Sequence, residues 1–195
     1  MVNILVVGRT GVGKSTLINT FLREPMCECG QGRPVTKVIK ECSCEHARVA
    51  FTDTCGFELT NCLELQRQMV NILAKRNGDG KSHDSFHVAW LCISEDSRRI
   101  ETVETTLADV LALHVPVIGV ITKARADDGF AKAVQKLLPQ AISVVRIRAL
   151  REQLDDGHIL RRMGLMRLLR DTSELLSESQ RGAMRSLLKH MMPTK

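Results

Sequence analysis

Short apolar runs alternate along this chain with longer stretches in which apolar residues recur every three or four positions. The first unit shows the pattern: Val2 to Val7 is almost continuously apolar, and the apolar residues of Lys14 to Arg23 share one helical face. Nearly unbroken apolar strands are typical of a parallel sheet that is covered on both faces. The pattern therefore predicts an α/β fold with a mostly parallel sheet between two layers of helices.

The alternation continues to the C-terminal part of the chain. Further strands are predicted at 48–52, 86–93, 115–121 and 142–147, and further helices at 63–75, 100–113, 130–138 and 158–176. Residues 25–46 read as a long loop with room for one edge strand. Because ligands of such sheets bind beyond the carboxyl ends of the strands, functional side chains are expected directly after the strands.

The last segment predicts an additional helix. Ser177 to Gln180 fit a capping box, and the residues that follow place their apolar side chains on one face: Ala183, Met184, Leu187, Leu188 and Met191. We divide the chain into a main domain at 1–176 and an amphipathic C-terminal helix or tail at 177–195. The apolar face either packs back on the domain, which we favour, or serves a partner or a further domain.

Composition adds limits on location and partners. The 195 residues suffice for one domain, and no apolar run reaches the roughly 18 residues that span a bilayer. No signal-peptide pattern precedes the first strand, so we expect a cytoplasmic location, with membrane attachment only through a domain outside this chain. The net charge of +6 is concentrated after Arg146. This basic part could bind a nucleic acid or an acidic membrane surface, but we favour the interpretation that it is a solvated helix face.

The seven cysteines raise the alternative of a zinc site, which we do not favour. In the cytoplasm they are expected to be reduced thiols. Two close pairs, Cys27/Cys29 and Cys42/Cys44, would offer four zinc ligands, although zinc sites more often use a two-residue spacer. The favoured interpretation is small residues around the long loop.

The strongest motif follows the first strand. Gly8 to Ser15 match the pattern G-x4-G-K-S/T between a strand and a helix. The glycines allow backbone N–H groups at Thr10 to Gly13 to turn towards phosphate oxygens, and the helix N-terminus adds partial positive charge. Lys14 would bind the β and γ phosphates, the Ser15 hydroxyl would bind Mg²⁺, and Thr16 would contact the α phosphate. The nucleotide-binding set thus begins with Thr10, Gly11, Val12, Gly13, Lys14, Ser15 and Thr16.

Two further segments indicate a switch. Asp53 to Gly56 fit D-x-x-G at the end of a strand, where the carboxylate would hold Mg²⁺ and the Gly56 N–H would bond the γ phosphate. Thr36, in the long loop, would complete the Mg²⁺ shell when a triphosphate is bound. Ser15, Thr36 and Asp53 are therefore the predicted metal residues.

With these motifs and Thr122-Lys123 in this order, the chain resembles the TRAFAC-class P-loop GTPases, in the Era/septin-like group. The resemblance implies a three-layer α/β/α Ras-like G domain that binds GTP or GDP with Mg²⁺ and acts as a GTP-hydrolysing switch. Within that group the chain looks closest to bacterial GTPase domains fused to helical or membrane-associated modules.

The resemblance also places the base. Thr122 and Lys123 match the first half of the family motif [NT]-K-x-D, and Ala149 stands where its backbone N–H would meet guanine O6. Arg125 occupies the position of the family's base-reading aspartate, and an arginine accepts no hydrogen bond. Thr122, Lys123, Arg125 and Ala149 complete the nucleotide set, while guanine and adenine both stay open.

Turnover is the last expectation. Phe57 stands where many GTPases place a glutamine that orients the attacking water. We therefore expect slow hydrolysis that depends on Lys14, Thr36 and Gly56 and is stimulated by a protein partner or by dimerisation. The alternatives are a nucleotide-dependent assembly module with little turnover and a P-loop protein that binds ATP.

Overall fold

A six-stranded sheet forms the centre of the protein, as seen in a computed structural model that describes residues 1–23, 39–54, 62–77 and 85–191. The strands are β1 (Val2–Gly8), β2 (Ile39–Cys44), β3 (Val49–Thr54), β4 (Val88–Ser94), β5 (Val117–Thr122) and β6 (Ser143–Arg146). Their order is β2-β3-β1-β4-β5-β6. Only β2 runs antiparallel to its neighbour among these strands, which confirms the predicted mostly parallel sheet with one edge strand.

Helices cover both faces of this sheet: α1 (Lys14–Leu22), α2 (Cys62–Asn77), α3 (Thr102–Ala112), α4 (Phe130–Leu137), α5 (Leu165–Glu174) and α6 (Glu178–Met191). Alternate residues of β1 point to opposite faces. Ile4 joins the core beneath α1, α5 and α6, whereas Leu5 joins the core beneath α2, α3 and α4. The predicted three-layer α/β/α architecture is confirmed.

The core on the first face is organised by the single tryptophan. Trp90 is fully buried in β4, and its ring centroid lies 5.4 Å from that of Phe21 and 5.5 Å from that of Phe51. A buried indole N–H requires an acceptor, and Trp90 Nε1 donates to Thr172 Oγ1 at 3.0 Å. Helix α5 is thereby fixed to the central strand at one position.

The C-terminal helix packs on the same face. Met184 and Leu187 are buried in the core of the domain, so the apolar face of α6 is covered by the chain itself. The Ser177 backbone N–H donates to Gln180 Oε1 at 3.2 Å, which is the capping contact expected from the sequence. His190 Nε2 lies 3.1 Å from the Leu22 carbonyl oxygen and links the last turn of α6 to the end of α1.

The helix predicted at 158–176 is wrong in its first part. Residues Glu152–Gln153 (β7) and Ile159–Leu160 (β8) form a short antiparallel hairpin instead, and α5 begins only at Leu165. The cause is Gly164, whose positive φ of 78° turns the chain out of the hairpin and into the helix. An added Cβ there would lie 1.9 Å from the Arg146 carbonyl oxygen, so only glycine fits.

The cysteines differ in state. Cys42 is disulfide-bonded, so the expectation of reduced thiols is wrong at this position, whereas Cys44 and Cys92 are buried free thiols. Cys27 and Cys29 lie outside the described residues. Within the described ranges, no group of three or more histidine, cysteine, aspartate or glutamate residues is placed to hold a metal ion. Nor does any helix in those ranges have the length and apolar character to cross a membrane.

Candidate nucleotide-binding site

The phosphate loop connects β1 to α1. Gly11 and Gly13 have positive φ angles of 77° and 100°, which L-residues with side chains rarely adopt. Lys14 is buried, and its Nζ donates to the carbonyl oxygens of Gly8 at 2.8 Å and Arg9 at 2.9 Å. A fixed ammonium group therefore adds to the partial positive charge at the N-terminus of α1, and together they suit an anion.

Gly8 ends β1 where the strand passes close to β4. A Cβ at this position would lie 2.5 Å from the Cys92 carbonyl oxygen, which is far inside van der Waals contact. Glycine is thus required by the sheet itself as well as by the motif.

Ser15 and Asp53 meet beside the loop. Ser15 Oγ donates to Asp53 Oδ2 at 2.5 Å, while the buried Asp53 Oδ1 has no hydrogen-bond partner in the part of the chain that the structure describes. Burial raises the pKa of Asp53, and the hydrogen bond from Ser15 and the charges of Lys14 and Lys40 oppose that rise. Mg²⁺ binds oxygen ligands, and this pair offers the Ser15 hydroxyl and the Asp53 Oδ1 atom. These residues therefore fit the ion.

A cavity of about 330 Å³ extends from the phosphate loop along the ends of β5 and β6. Six of its lining residues belong to the set predicted from the sequence: Gly13, Thr16, Thr122, Lys123, Arg125 and Ala149. The other six were not singled out by sequence reasoning: Asp96, Ile147, Arg148, Leu150, Arg151 and Glu152. The structure thus brings the phosphate-side and base-side candidates into one space.

Thr122 joins the two sides of that space. Its Oγ1 donates to the Val12 carbonyl oxygen at 2.5 Å and lies 3.2 Å from the Ile93 carbonyl oxygen. The end of β5 is therefore bonded directly to the phosphate loop. This contact fixes the distance between the end of β5 and the phosphate loop.

Two ion pairs line the base side of the cavity. Lys123 Nζ lies 3.2 Å from Asp96 Oδ2. Arg125 Nε donates to Glu152 Oε2 at 3.1 Å, and Arg125 Nη2 contacts the other oxygen of the same carboxylate. The guanidinium group holds both oxygens of Glu152, which lowers the pKa of that carboxyl group.

A buried carboxylate fixes the backbone beneath these pairs. Glu95, 3% exposed at its side chain, accepts from the Arg125 backbone N–H at 2.6 Å and from Arg146 Nε at 2.9 Å and Nη2 at 3.0 Å. Arg148 supports the same segment, since its Nε donates to the Ala124 carbonyl oxygen at 2.7 Å. Sequence reasoning missed Glu95, Arg146 and Arg148, and the only available signal was their position at the ends of strands.

The opposite edge of the phosphate loop is tied to α3. Arg9 Nε lies 3.1 Å from Glu104 Oε1, and Arg9 Nη1 donates to Glu101 Oε1 at 2.5 Å. Glu101 and Glu104 also form a capping box at the start of the helix. Burial raises the pKa of Glu104 and the charge of Arg9 opposes the rise.

Part of the predicted catalytic set is not placed. Thr36, Gly56 and Phe57 lie outside the described residues, so Lys14 is the one residue of that set with a described position. Of the three predicted metal residues, Ser15 and Asp53 have described positions and Thr36 does not. The described part of the candidate site therefore comprises the phosphate loop and the cavity beside it.

Comparison with solved structures gives the same fold. A probable GTP-binding protein, engB, is 18% identical and aligns with a TM-score of 0.60 over 89% of this chain and 97% of its own. Era, solved in complex with MgGDPNP and nucleotides of 16S ribosomal RNA, is 25% identical with a TM-score of 0.60 over 90% of this chain and 57% of its own.

Comparison with curated proteins adds the septins. Septin-8 of Rattus norvegicus is 29% identical over 144 residues, which is 63% of this chain. The chain spans 32% of septin-8 and 7% of a second curated relative.

The family described as 50S ribosome-binding GTPase matches residues 3–123, which include the phosphate loop, Asp53 and Thr122-Lys123. That match covers more than half of the chain. The resemblance to TRAFAC-class P-loop GTPases is thereby confirmed, and the chain belongs to the family of 50S ribosome-binding GTPases.

Proposed function

We propose that this domain is a GTP-binding switch that hydrolyses GTP slowly in the presence of Mg²⁺. The observation that carries the proposal is the juxtaposition of Ser15 and Asp53 beside the phosphate loop, with one buried carboxylate oxygen of Asp53 left without a hydrogen-bond partner in the described part of the chain. The neighbouring cavity, which is lined by Gly13, Thr16, Arg125 and Glu152, supplies room for the nucleoside.

Each described residue has a distinct part in this function. Lys14 and the N–H groups of the loop bind the phosphates and offset their negative charge. Ser15 and Asp53 would hold Mg²⁺, which would help to neutralise the negative charge of the phosphates. Thr122 keeps the base side of the site at a fixed distance from the loop.

The proposed slow turnover rests on Phe57. Phe57 has no group that orients water, so the reaction lacks the side chain that commonly positions the nucleophile. We propose that a protein partner or a second copy of the chain supplies the missing group. An intrinsic rate on the order of 10⁻⁴ to 10⁻² s⁻¹ is expected for a GTPase of this kind without its activator.

Phosphate release with GTP tests the proposal. The wild-type domain should release phosphate with Mg²⁺ and not with EDTA, and the rate per molecule should rise with protein concentration if a second copy assists. Lys14→Ala should lose both nucleotide binding and turnover, whereas Lys132→Ala, an exposed lysine of α4, serves as the control with the same change in charge.

Two outcomes would overturn this reading. Tight GDP binding without phosphate release at any protein concentration would indicate a nucleotide-dependent assembly module. Equal or tighter binding of ADP than of GDP would indicate an ATP-binding protein. Stimulation by a partner protein is tested separately, after GTP binding has been measured. An added partner can raise the rate of GTP hydrolysis only if the chain already binds GTP.

A further inference from the structure

The Arg125–Glu152 ion pair lines the same cavity as Gly13 of the phosphate loop. Arg125 lies three residues after β5, and Glu152 begins β7, three residues after Ala149. Both residues line the cavity, and the pair joins the two segments that form its wall. A nucleotide with its phosphates at Gly13 and Thr16 would extend its base towards this pair.

The geometry of the pair leaves acceptors available. Two nitrogens of Arg125 contact the two oxygens of Glu152, one contact being 3.1 Å, so the carboxylate plane is fixed. A carboxylate has about four lone-pair sites, and the guanidinium group uses two of them. The low pKa of Glu152 keeps the group ionised at neutral pH and therefore purely an acceptor.

Guanine and adenine present opposite partners to such a group. Guanine offers N1–H and an exocyclic amino group side by side, and both are donors. Adenine offers only one donor there, its C6 amino group, beside the N1 lone pair, which a carboxylate repels. A fixed carboxylate at the base end of the cavity would therefore select guanine, since a polar site left unpaired by the wrong base discriminates strongly.

A second carboxylate lines the cavity, but its setting differs. Asp96 meets Lys123 through one oxygen at 3.2 Å, and its side chain is 48% exposed. Glu152 is held through both oxygens and is 32% exposed. Its partner Arg125 is anchored in turn by the backbone hydrogen bond to the buried Glu95. Orientation is therefore much better defined at Glu152 than at Asp96.

We propose that Glu152 is the residue that reads the guanine base, with Arg125 as a positioning residue that orients its carboxylate. This inference rests on the proposed nucleotide-binding function and names the residue that gives it base specificity. Arg125 itself accepts no hydrogen bond, so its part is to hold the acceptor rather than to be one.

Binding of four nucleoside diphosphates tests this proposal: GDP, inosine diphosphate, xanthosine diphosphate and ADP, measured by calorimetry with Mg²⁺. Glu152→Gln should weaken GDP binding about tenfold to a hundredfold, the effect of one lost charge-assisted hydrogen bond. It should also strengthen binding of xanthosine diphosphate, whose C2 carbonyl accepts from the new amide. Asp155→Asn, in the same hairpin but not lining the cavity, is the matched control and should change neither.

The outcomes separate this inference from the proposed function. Failure of the wild-type domain to bind any guanine nucleotide would overturn the proposed function itself. If the wild type binds GDP and Glu152→Gln keeps the same order of preference among the four nucleotides, only the inference is overturned. The inference is also overturned if Asp96→Asn, and not Glu152→Gln, reverses that order. If Glu152→Gln is unfolded in a thermal melt, Arg125→Ala is used: its preference for GDP over inosine diphosphate should shrink, and an unchanged preference overturns the inference.

Discussion

Removal of the buried Glu95 carboxylate should destabilise the whole domain. In Glu95→Ala, the Arg146 guanidinium loses an ion-pair partner at 2.8 Å, and the Arg125 backbone N–H loses its acceptor. Glu95 is 3% and Arg146 18% exposed at the side chain, so water replaces little of what is lost. The cost arises because the Arg146 charge stays buried with only partial compensation.

The structure sets the magnitude of this effect. Breaking a buried ion pair by removing one partner costs about 3–5 kcal/mol. Arg146 Nε also lies 3.8 Å from Asp127 Oδ1, which compensates part of its charge, so we expect a loss near the lower limit. For a domain of this size, about 3 kcal/mol corresponds to a fall in Tm of roughly 6–12 °C.

Thermal unfolding followed by circular dichroism measures the change without nucleotide. Glu174→Ala removes an exposed carboxylate at the end of α5 and should shift the Tm by little, which makes it the control. The double variant Glu95→Ala/Arg146→Ala should lose less stability than the sum of the two single variants, because it removes the stranded charge. A Tm for Glu95→Ala within about 2 °C of wild type, on the same scale of about 2–4 °C per kcal/mol, would refute the reasoning.

Two further predictions concern buried charge and backbone conformation. Asp53→Asn should raise the stability of the nucleotide-free domain at neutral pH. Burial raises the pKa of Asp53 above its usual value of 3.8, so the wild type loses stability as the pH rises through the folded-state pKa. The difference in unfolding free energy between the two proteins should therefore disappear in acid. Equal pH profiles of the unfolding free energy, measured with urea, would contradict this. Gly164→Ala should lower the Tm strongly, since its Cβ would lie 1.9 Å from a carbonyl oxygen, whereas Gly182→Ala meets no atom within 4 Å and should add about 0.5–1 kcal/mol; similar Tm shifts for both variants would refute the clash argument.

The elements that could be predicted from the sequence are those long enough for their apolar residues to show the spacing of a strand or a helix. The predicted strand at 115–121 is observed at Val117–Thr122, and the predicted helix at 130–138 at Phe130–Leu137. The hairpin of β7 and β8 was not predicted, because two-residue strands are too short to show an alternating pattern. The apolar residues after His158 also fit one face of a helix. Gly164 was the available sign that a helix begins there.

The site divides in the same way. The phosphate loop was predictable because its glycines and Lys14 are consecutive, and one local conformation brings them together. Glu95 and Glu152 were not, because Glu95 follows β4, Glu152 begins β7, and each meets Arg125 only in the folded chain. Partners that are 27 or 30 residues apart meet only through the tertiary fold.

The position of Trp90 gives the domain a built-in optical reporter. As the chain's one tryptophan, it contributes nearly all of the protein's near-ultraviolet emission, and its fully buried indole predicts a blue-shifted spectrum. The ring packs against both Phe21 and Phe51 on the sheet face beneath α1 and α5, and Trp90 does not line the cavity. Its fluorescence should therefore follow loss of the core while staying insensitive to which base occupies the cavity.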